Sequence, residues 1–279
     1  MESGQRAEEV YPAGAASAMG TRRFGRVNWL GLASLATREI KRFTNIWLQT
    51  IAAPVATAVL FMAVFTLALG TQRSDVMGVP FTHFLAPGLL MMTVIQNGFA
   101  NTSSSILVAK VQGNIVDTLM PPLSPSELLA GYMLGGVARG LFVALGVGIV
   151  LFPLLGIPLR HPFWALAFVL AGSAMLALAG ILAAILAEKF DHMAALTNFV
   201  IVPLSFLSGT FYSAEAVPRG FDLLLHLNPI FYLIDGMRFS TLGMSDSAPM
   251  LGLAIALVVD LALAALAYRW LRTGFRLKT

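Results

Sequence analysis

Residues 206–238 read FLSGTFYSAEAVPRGFDLLLHLNPIFYLIDGMR, continuing an apolar run that starts at Phe199. A hydrophobic segment reaches one face of a membrane here and does not simply leave it. Pro203, Gly209 and Pro218 are expected to prevent one uninterrupted helix from Phe199 onward. Phe221, Leu224, Leu225 and Leu227 form an apolar patch, with Arg219, Asp222 and His226 as its polar remainder. Asn228-Pro229 then restarts a helix, with proline in its first turn. The reading is two short helices dipping from the outer face, because non-helical backbone at membrane depth is tolerated only under cover. Phe211, Tyr212, Phe231 and Tyr232 suit the membrane–water interface.

The composition requires a membrane around that excursion. Of 279 residues, 57% are hydrophobic and 11% charged, with a mean hydropathy of +0.79, against about 25% charged in a soluble domain. So few charges cannot clothe a water-soluble particle. Cysteine is absent, which excludes disulfides and thiolate metal sites. A bilayer core about 30 Å thick needs roughly 20 apolar residues per helix. Such runs occur at 46–69, 84–107, 130–155, 163–186, 194–211 and 249–271. QNGFANTSSS weakens the second, and the fifth is short and holds Pro203. The expected fold is all-α: six transmembrane helices in one domain, 28–272, between a disordered cytoplasmic segment, 1–27, and a cytoplasmic tail, 273–279.

With both termini in the cytoplasm, 13 of the 18 cations lie inside and only Arg73, Arg160, Arg219 and Arg238 outside, with Arg139 left in a span. The basic pI thus reflects orientation rather than nucleic-acid binding. TRRFGRVNWLGLASLA superficially resembles a twin-arginine signal, but its apolar run is too short before REIKR. An amphipathic helix fits better: Trp29, Leu32, Ala36, Ile40, Phe43 and Trp47 recur at helical spacing, with Arg38, Glu39, Lys41 and Arg42 mostly opposite. It is expected to lie in the inner interface, its basic face toward lipid headgroups. In VAKVQGNIVDTLMPPLSPSELLAG, Val108, Val111, Ile115 and Leu119 repeat at helical spacing before a proline break. Ser124 or Ser126 then caps the next helix, with Glu127 completing a Ser-x-x-Glu box from Ser124. A short helix ended by prolines is a knob another protein can hold.

No lysine stands in a phosphate-cradling loop, the four histidines form no H-E-x-x-H, and there is no G-x-S-x-G turn. No catalytic, cofactor or metal residue is expected. Within the spans, Thr93, Asn97, Asn101 and Ser104 share one helix face, which must meet other helices or a wet pathway. Thr197 and Ser205 add sparse polar contacts in the fifth span. Asp260, mid-span in ALVVDLALAA, needs a cation, water or a proton, and Arg139 is a candidate partner.

PLSFLSGTFYSAEAVPRGFDLLLHLNPIFYLIDGMR and KVQGNIVDTLMPPLSPSELLAGYMLGG, in that setting, resemble the membrane subunits of ABC-2-type exporters, which include daunorubicin-resistance and nodulation-factor export permeases. The resemblance covers about residues 32–272, and Pro203, Ser208, Gly209, Pro218, Asn228, Pro229, Asp235 and Arg238 fall where that family's pattern places them. It implies a permease of a bacterial cytoplasmic membrane that carries no motor. A dimer would pair with two separate P-loop ATPase subunits, which bind the ATP. The loop containing Gly113, Asp117, Pro121, Pro122, Ser124, Pro125 and Glu127 would be the helix that couples to the ATPase. Ser208, Gly209, Pro218, Asn228, Pro229, Asp235 and Arg238 would belong to a re-entrant outer cap, in which Asp235 and Arg238 pair locally as a surface pair of little energetic weight. The implied function is ATP-driven export of an amphipathic, lipid-like or polysaccharide-type substrate. A proton-coupled secondary transporter working through Asp260 is the alternative.

Overall fold

In the computed structural model the described residues are 27–69, 75–217, 220 and 222–277. The segment 1–26, Arg73, Pro218, Arg219, Phe221 and Lys278 lie outside them. Among the described residues the chain is helical, with one isolated β-bridge between Val76 and Val79. The helices are α1 (Trp29–Thr44), α2 (Ala53–Leu69, entered through a π-helical turn, Leu48–Ala52), α3 (Phe81–Val111), α4 (Ile115–Leu119), α5 (Pro125–Leu155) and α6 (Pro162–Leu186). Next come α7 (Phe190–Leu196) and α8 (Val202–Phe206), joined by a second π-helical turn, Thr197–Ile201, and then α9 (Asp222–Leu227), α10 (Pro229–Leu242) and α11 (Pro249–Thr273).

Four of these helices are long and apolar enough to cross a membrane: Leu48–Ala68, Pro125–Leu155, Pro162–Leu186 and Pro249–Thr273. The second expected span behaves differently. At 31 residues α3 is about 46 Å long, but Gln96, Asn97, Asn101 and the serines after it make its second half polar. The fifth expected span, 194–211, is displaced: the helix runs Phe190–Phe206 and stops well before Phe211. Pro203 does not break it. Proline cannot donate to the preceding turn, and the widened turn Thr197–Ile201 directly before α8 accommodates it, with Pro203 in the first turn of α8.

Helix α3 is the axis of the bundle. Phe84, Leu85, Met91, Val94 and Ile95 are all fully buried, and the helix packs against α2, α5, α6 and α10. The α3–α6 approach is set by glycine. A Cβ on Gly180 of α6 would stand 2.6 Å from the Phe99 carbonyl oxygen, and one on Gly98 of α3 would stand 3.0 Å from the Ser173 carbonyl oxygen. Where lipid tails offer no hydrophobic drive between helices, such small-residue contacts let backbones close up. Thr102 Oγ1 uses the proximity to donate to the Ala177 carbonyl at 2.7 Å.

Candidate functional site

At one end of the bundle the chain leaves α3 through Gly113, whose φ of +75° admits the reversal without a Cβ penalty. Helix α4 follows. Ile115 and Thr118 are buried, while Val116 (47% exposed) and Met120 (76%) point out beside exposed Asp117, Pro121 and Pro122. The result is a small knob with an apolar tip. Its base is tied down twice. Arg38 Nη1 of α1 donates to Thr118 Oγ1 at 3.1 Å. Ser124 caps α5 with Pro125 at the first position, and the capping box with Glu127 is complete. Glu127 does more than close its own box. Its Oε2 accepts the Ser124 backbone N–H at 2.7 Å, and its Oε1 accepts the Asn28 backbone N–H at 2.7 Å. Asn28 is itself the N-cap of α1, accepting from the Gly31 N–H at 2.9 Å and donating to the Pro122 carbonyl at 3.2 Å. One carboxylate therefore holds the starts of two helices, the first of them through Asn28, 99 residues before Glu127 in sequence.

Helix α1 departs from the expected two-sided pattern. Trp29, Ile40 and Trp47 are exposed along one stripe, but Leu35, Glu39 and Phe43 are buried against the bundle, Glu39 completely. Spacing of four residues puts those three on one face, so a carboxylate was read with the basic face when it belongs to the protein-facing one. Glu39 accepts from Arg38 Nη2 at 3.1 Å and from Ser105 Oγ at 2.8 Å and pairs with Arg42 at 3.3 Å. Arg42 also donates to the Asn101 carbonyl at 2.6 Å, to Asn101 Oδ1 at 2.9 Å and to Ser104 Oγ at 3.0 Å. Burial lowers the proton affinity of the Arg38 guanidinium, but Tyr132 and Glu39 beside it hold it above its ordinary value, so it stays cationic. A cleft of about 840 Å³ opens between α1, the end of α3 and α4, flanked by Arg38, Lys41, Arg42 and Asp117.

At the other end of the bundle, α10 begins with Asn228 as N-cap and Pro229 at its first position. Asn228 Nδ2 donates to Ser208 Oγ at 2.7 Å and to the Leu204 carbonyl at 3.0 Å, and Ser208 donates to the same carbonyl. Asn228 thus ties α10 to the end of α8. Gly209, with φ +72°, turns the chain so that its carbonyl accepts from Arg238 Nη2 at 2.8 Å. Asp235 and Arg238 are not a surface pair. Both are about 1% exposed, 3.9 Å apart, and Arg238 stands 3.7 Å from Asp246 as well. Its guanidinium lies 3.7 Å over the Phe84 ring. Asp235 accepts the Asp246 and Ser247 backbone N–H groups at 2.8 and 2.9 Å and the Ser247 hydroxyl at 2.8 Å. This cluster fastens α10 to the loop before α11 and to α3. Of the expected apolar patch, Leu225 is buried, whereas Leu224 and Leu227 are exposed.

The remaining polar residues of the spans do not converge on one place. Asn97 donates to the Thr93 carbonyl at 2.9 Å and accepts from Arg139 Nη2 at 3.0 Å, so Arg139 is bound to Asn97 and not to Asp260. Thr197 and Ser205 hydroxyls donate to carbonyls one turn back in their own helix. Asp260 is half-buried on α11, and its Oδ1 has no hydrogen-bond partner. Sequence reasoning missed Lys110. Rather than a loop cation, it is buried at 4% exposure, donating to the Ala184, Ile185 and Ala187 carbonyls at 3.1, 2.8 and 2.8 Å. It closes the C-terminus of α6, where cations are favoured.

Comparison with known proteins converges on one family. Residues 31–242 match the ABC-2 type transporter model. The chain is 40% identical over 221 residues to the inner membrane transport permease YadH of Escherichia coli K12, covering 78% of this chain and 85% of that protein. It is 27% identical over 228 residues to nodulation protein J of Rhizobium leguminosarum bv. viciae, covering 78% and 84%. The apolar helices and the inner-membrane relative make it a bacterial inner-membrane protein with a transport role. The chain belongs to the ABC-2 type transporter family.

Proposed function

We propose that this permease is the membrane subunit of an ATP-driven exporter, in which a separate P-loop subunit grips the α4 knob. The observation that carries the reading is the way the knob is built. An apolar tip, Val116 and Met120, projects from a base tied to α1 by Arg38–Thr118 and to both α1 and α5 by Glu127. Such anchoring suits a tip that must pass on a load rather than bend away from it. A partner seated on it moves α1 and α5 together, and through Arg42 and Asn101 the core helix α3.

In this reading α3 and Phe190–Phe206 complete a six-span bundle, both termini are cytoplasmic, and α9 with α10 forms a re-entrant cap on the outer side. Two permease chains and two ATPase chains form the complex. ATP closes the ATPase pair, the knobs are pushed, and the permease dimer opens outward to an amphipathic, lipid-like or polysaccharide-type substrate. This chain binds no ATP itself. The test is mass spectrometry of what co-purifies with the tagged permease gently extracted from its native membrane. A stoichiometric P-loop subunit, lost when residues 117–127 become a Gly/Ser linker, supports the reading; a folded permease reproducibly free of any ATPase refutes it.

The unpartnered Asp260 carboxylate oxygen supports a second reading, proton-coupled transport. Asp260→Asn separates the two. Abolished transport with intact partner ATPase turnover favours proton coupling, and unchanged transport removes it.

A further inference from the structure

A groove of about 540 Å³ lies between the second half of α5 and the first half of α6. Its floor is Leu90, Val169 and Met237, from three different helices, and no charged residue lines it. It runs along α5 from Leu141 to Phe152, about 16 Å at the helical rise. One leaflet's share of a hydrocarbon core is about 15 Å deep. The groove is thus as long as one leaflet is thick.

The turn that closes its end carries Arg160. Leu159 and Pro162, on either side of it in sequence, both line the groove. Arg160 is exposed, lies against Gly243 and has no acidic partner among the described residues. An apolar slot of leaflet depth, ending at a turn that carries an exposed arginine, matches a membrane phospholipid in both halves. The acyl chain displaces nothing polar, and the phosphate meets a cation suited to bidentate pairing. A second copy of the chain fits less well, since a packed protein face at the mouth would have to supply a carboxylate at Arg160.

We infer that the α5–α6 groove is a binding site for a single phospholipid of the leaflet on the Arg160 side, its acyl chain in the groove and its phosphate on Arg160. Under the orientation proposed above this is the outer leaflet, but the inference does not depend on ATP coupling. A lipid held there would wedge α5 and α6 at the end where they are joined only by the short turn 156–161.

The structure provides a clean probe. Gly148 lines the groove, and a Cβ there would sit 3.4 Å from Leu90 Cδ1, an ordinary contact, so Gly148→Leu adds its bulk to the groove from a position that accepts a Cβ. The permease is assembled into nanodiscs of phosphatidylethanolamine and phosphatidylglycerol, released, and weighed by native mass spectrometry. The expected result is one retained phospholipid per wild-type protomer, none in Gly148→Leu, and about tenfold weaker retention in Arg160→Gln, which loses the charge-assisted contact. Leu261→Ala, on the exposed face of α11, retains the lipid and controls for general loss of annular lipid. Unaltered melting of Gly148→Leu shows that it folds. Retention undiminished in Gly148→Leu overturns the site, and so does retention unchanged in Arg160→Gln. Displacement of the adduct by inorganic phosphate alone would assign Arg160 to a free anion and also overturn it. Because no outcome involves the ATPase, the lipid site and the exporter reading fail separately.

Discussion

Glu127→Gln is the sharpest perturbation of the knob. The glutamate accepts two backbone N–H groups at 2.7 Å, one at the start of each of two helices. Hydrogen bonds to a charged group contribute about 1.5–3 kcal/mol, neutral ones about 0.5–1.5. Glutamine keeps one acceptor, so one bond survives in weakened form. The other N–H then faces an amide NH2, donor against donor. Glutamine therefore loses one charge-assisted bond and weakens the other. Opening is expected to speed by roughly tenfold or more. The assay is hydrogen–deuterium exchange of the permease in nanodiscs, followed in peptides from the first two turns of α1 and from α4. The change must be confined there, because the α3–α6 core does not depend on this carboxylate. Exchange at α1 and α4 equal to wild type would refute the latch, and acceleration spread evenly into α6 would show that Glu127 supports the whole bundle instead.

Three further outcomes are expected. Arg238→Ala strands the Asp235 and Asp246 carboxylates in a buried site and is expected to cost about 3–5 kcal/mol, read as a lowered midpoint in heated size-exclusion chromatography. Gly180→Val places a branched side chain against the Phe99 carbonyl, where backbone cannot yield. Overpacking of about 1–3 kcal/mol or more should show as reduced folded yield, with Gly220→Val, in open space, as the neutral comparison. Lys110→Met removes the ammonium from three carbonyls at the end of α6; amide exchange at 184–187 is expected to rise by roughly tenfold or more.

Features generated by neighbours in sequence were legible beforehand. Asn228-Pro229 starts α10, and Ser124 with Glu127 forms the capping box, because both depend on residues within one turn. Apolar runs marked the helices around Leu48–Ala68, Pro125–Leu155 and Pro249–Thr273 because a lipid-exposed helix announces itself in composition, and marked Pro162–Leu186, which is largely buried, because its neighbours pack on it through apolar and glycine surfaces. Helix α3 announced itself poorly for the opposite reason. It is enclosed by other helices, so its polar second half is solvated by protein and its sequence is freed from the lipid rule. Pro203 misled because a proline's effect depends on the turn before it, and π-helical widening has no sequence mark of its own.

Ser105 as a partner of Glu39, the α6 carbonyls as partners of Lys110, and Gly209 and Asp246 as partners of Arg238 were out of reach for a single reason: each lies far away in sequence or in a loop whose path only the fold decides. Glu39 had one visible clue. It is the sole acid of α1 and shares a face with Leu35 and Phe43, and a lone charge on an apolar stripe is expensive unless something answers it. Arg42 and Ser105 answer it here. The distribution of such groups has a mechanical consequence. Where α3 meets α6, Gly98 and Gly180 bring backbone close to backbone, a tight approach that resists sliding. Where α1 meets α3 and α4, contact is made by long side chains, whose hydrogen bonds can be exchanged. Arg42 Nε and Asn101 Nδ2 there lack hydrogen-bond partners, so alternative pairings are at hand. Under the exporter reading, these exchangeable pairs would let α1 shift as it passes the knob's movement through Arg42 to α3, while α3 and α6 travel as one body.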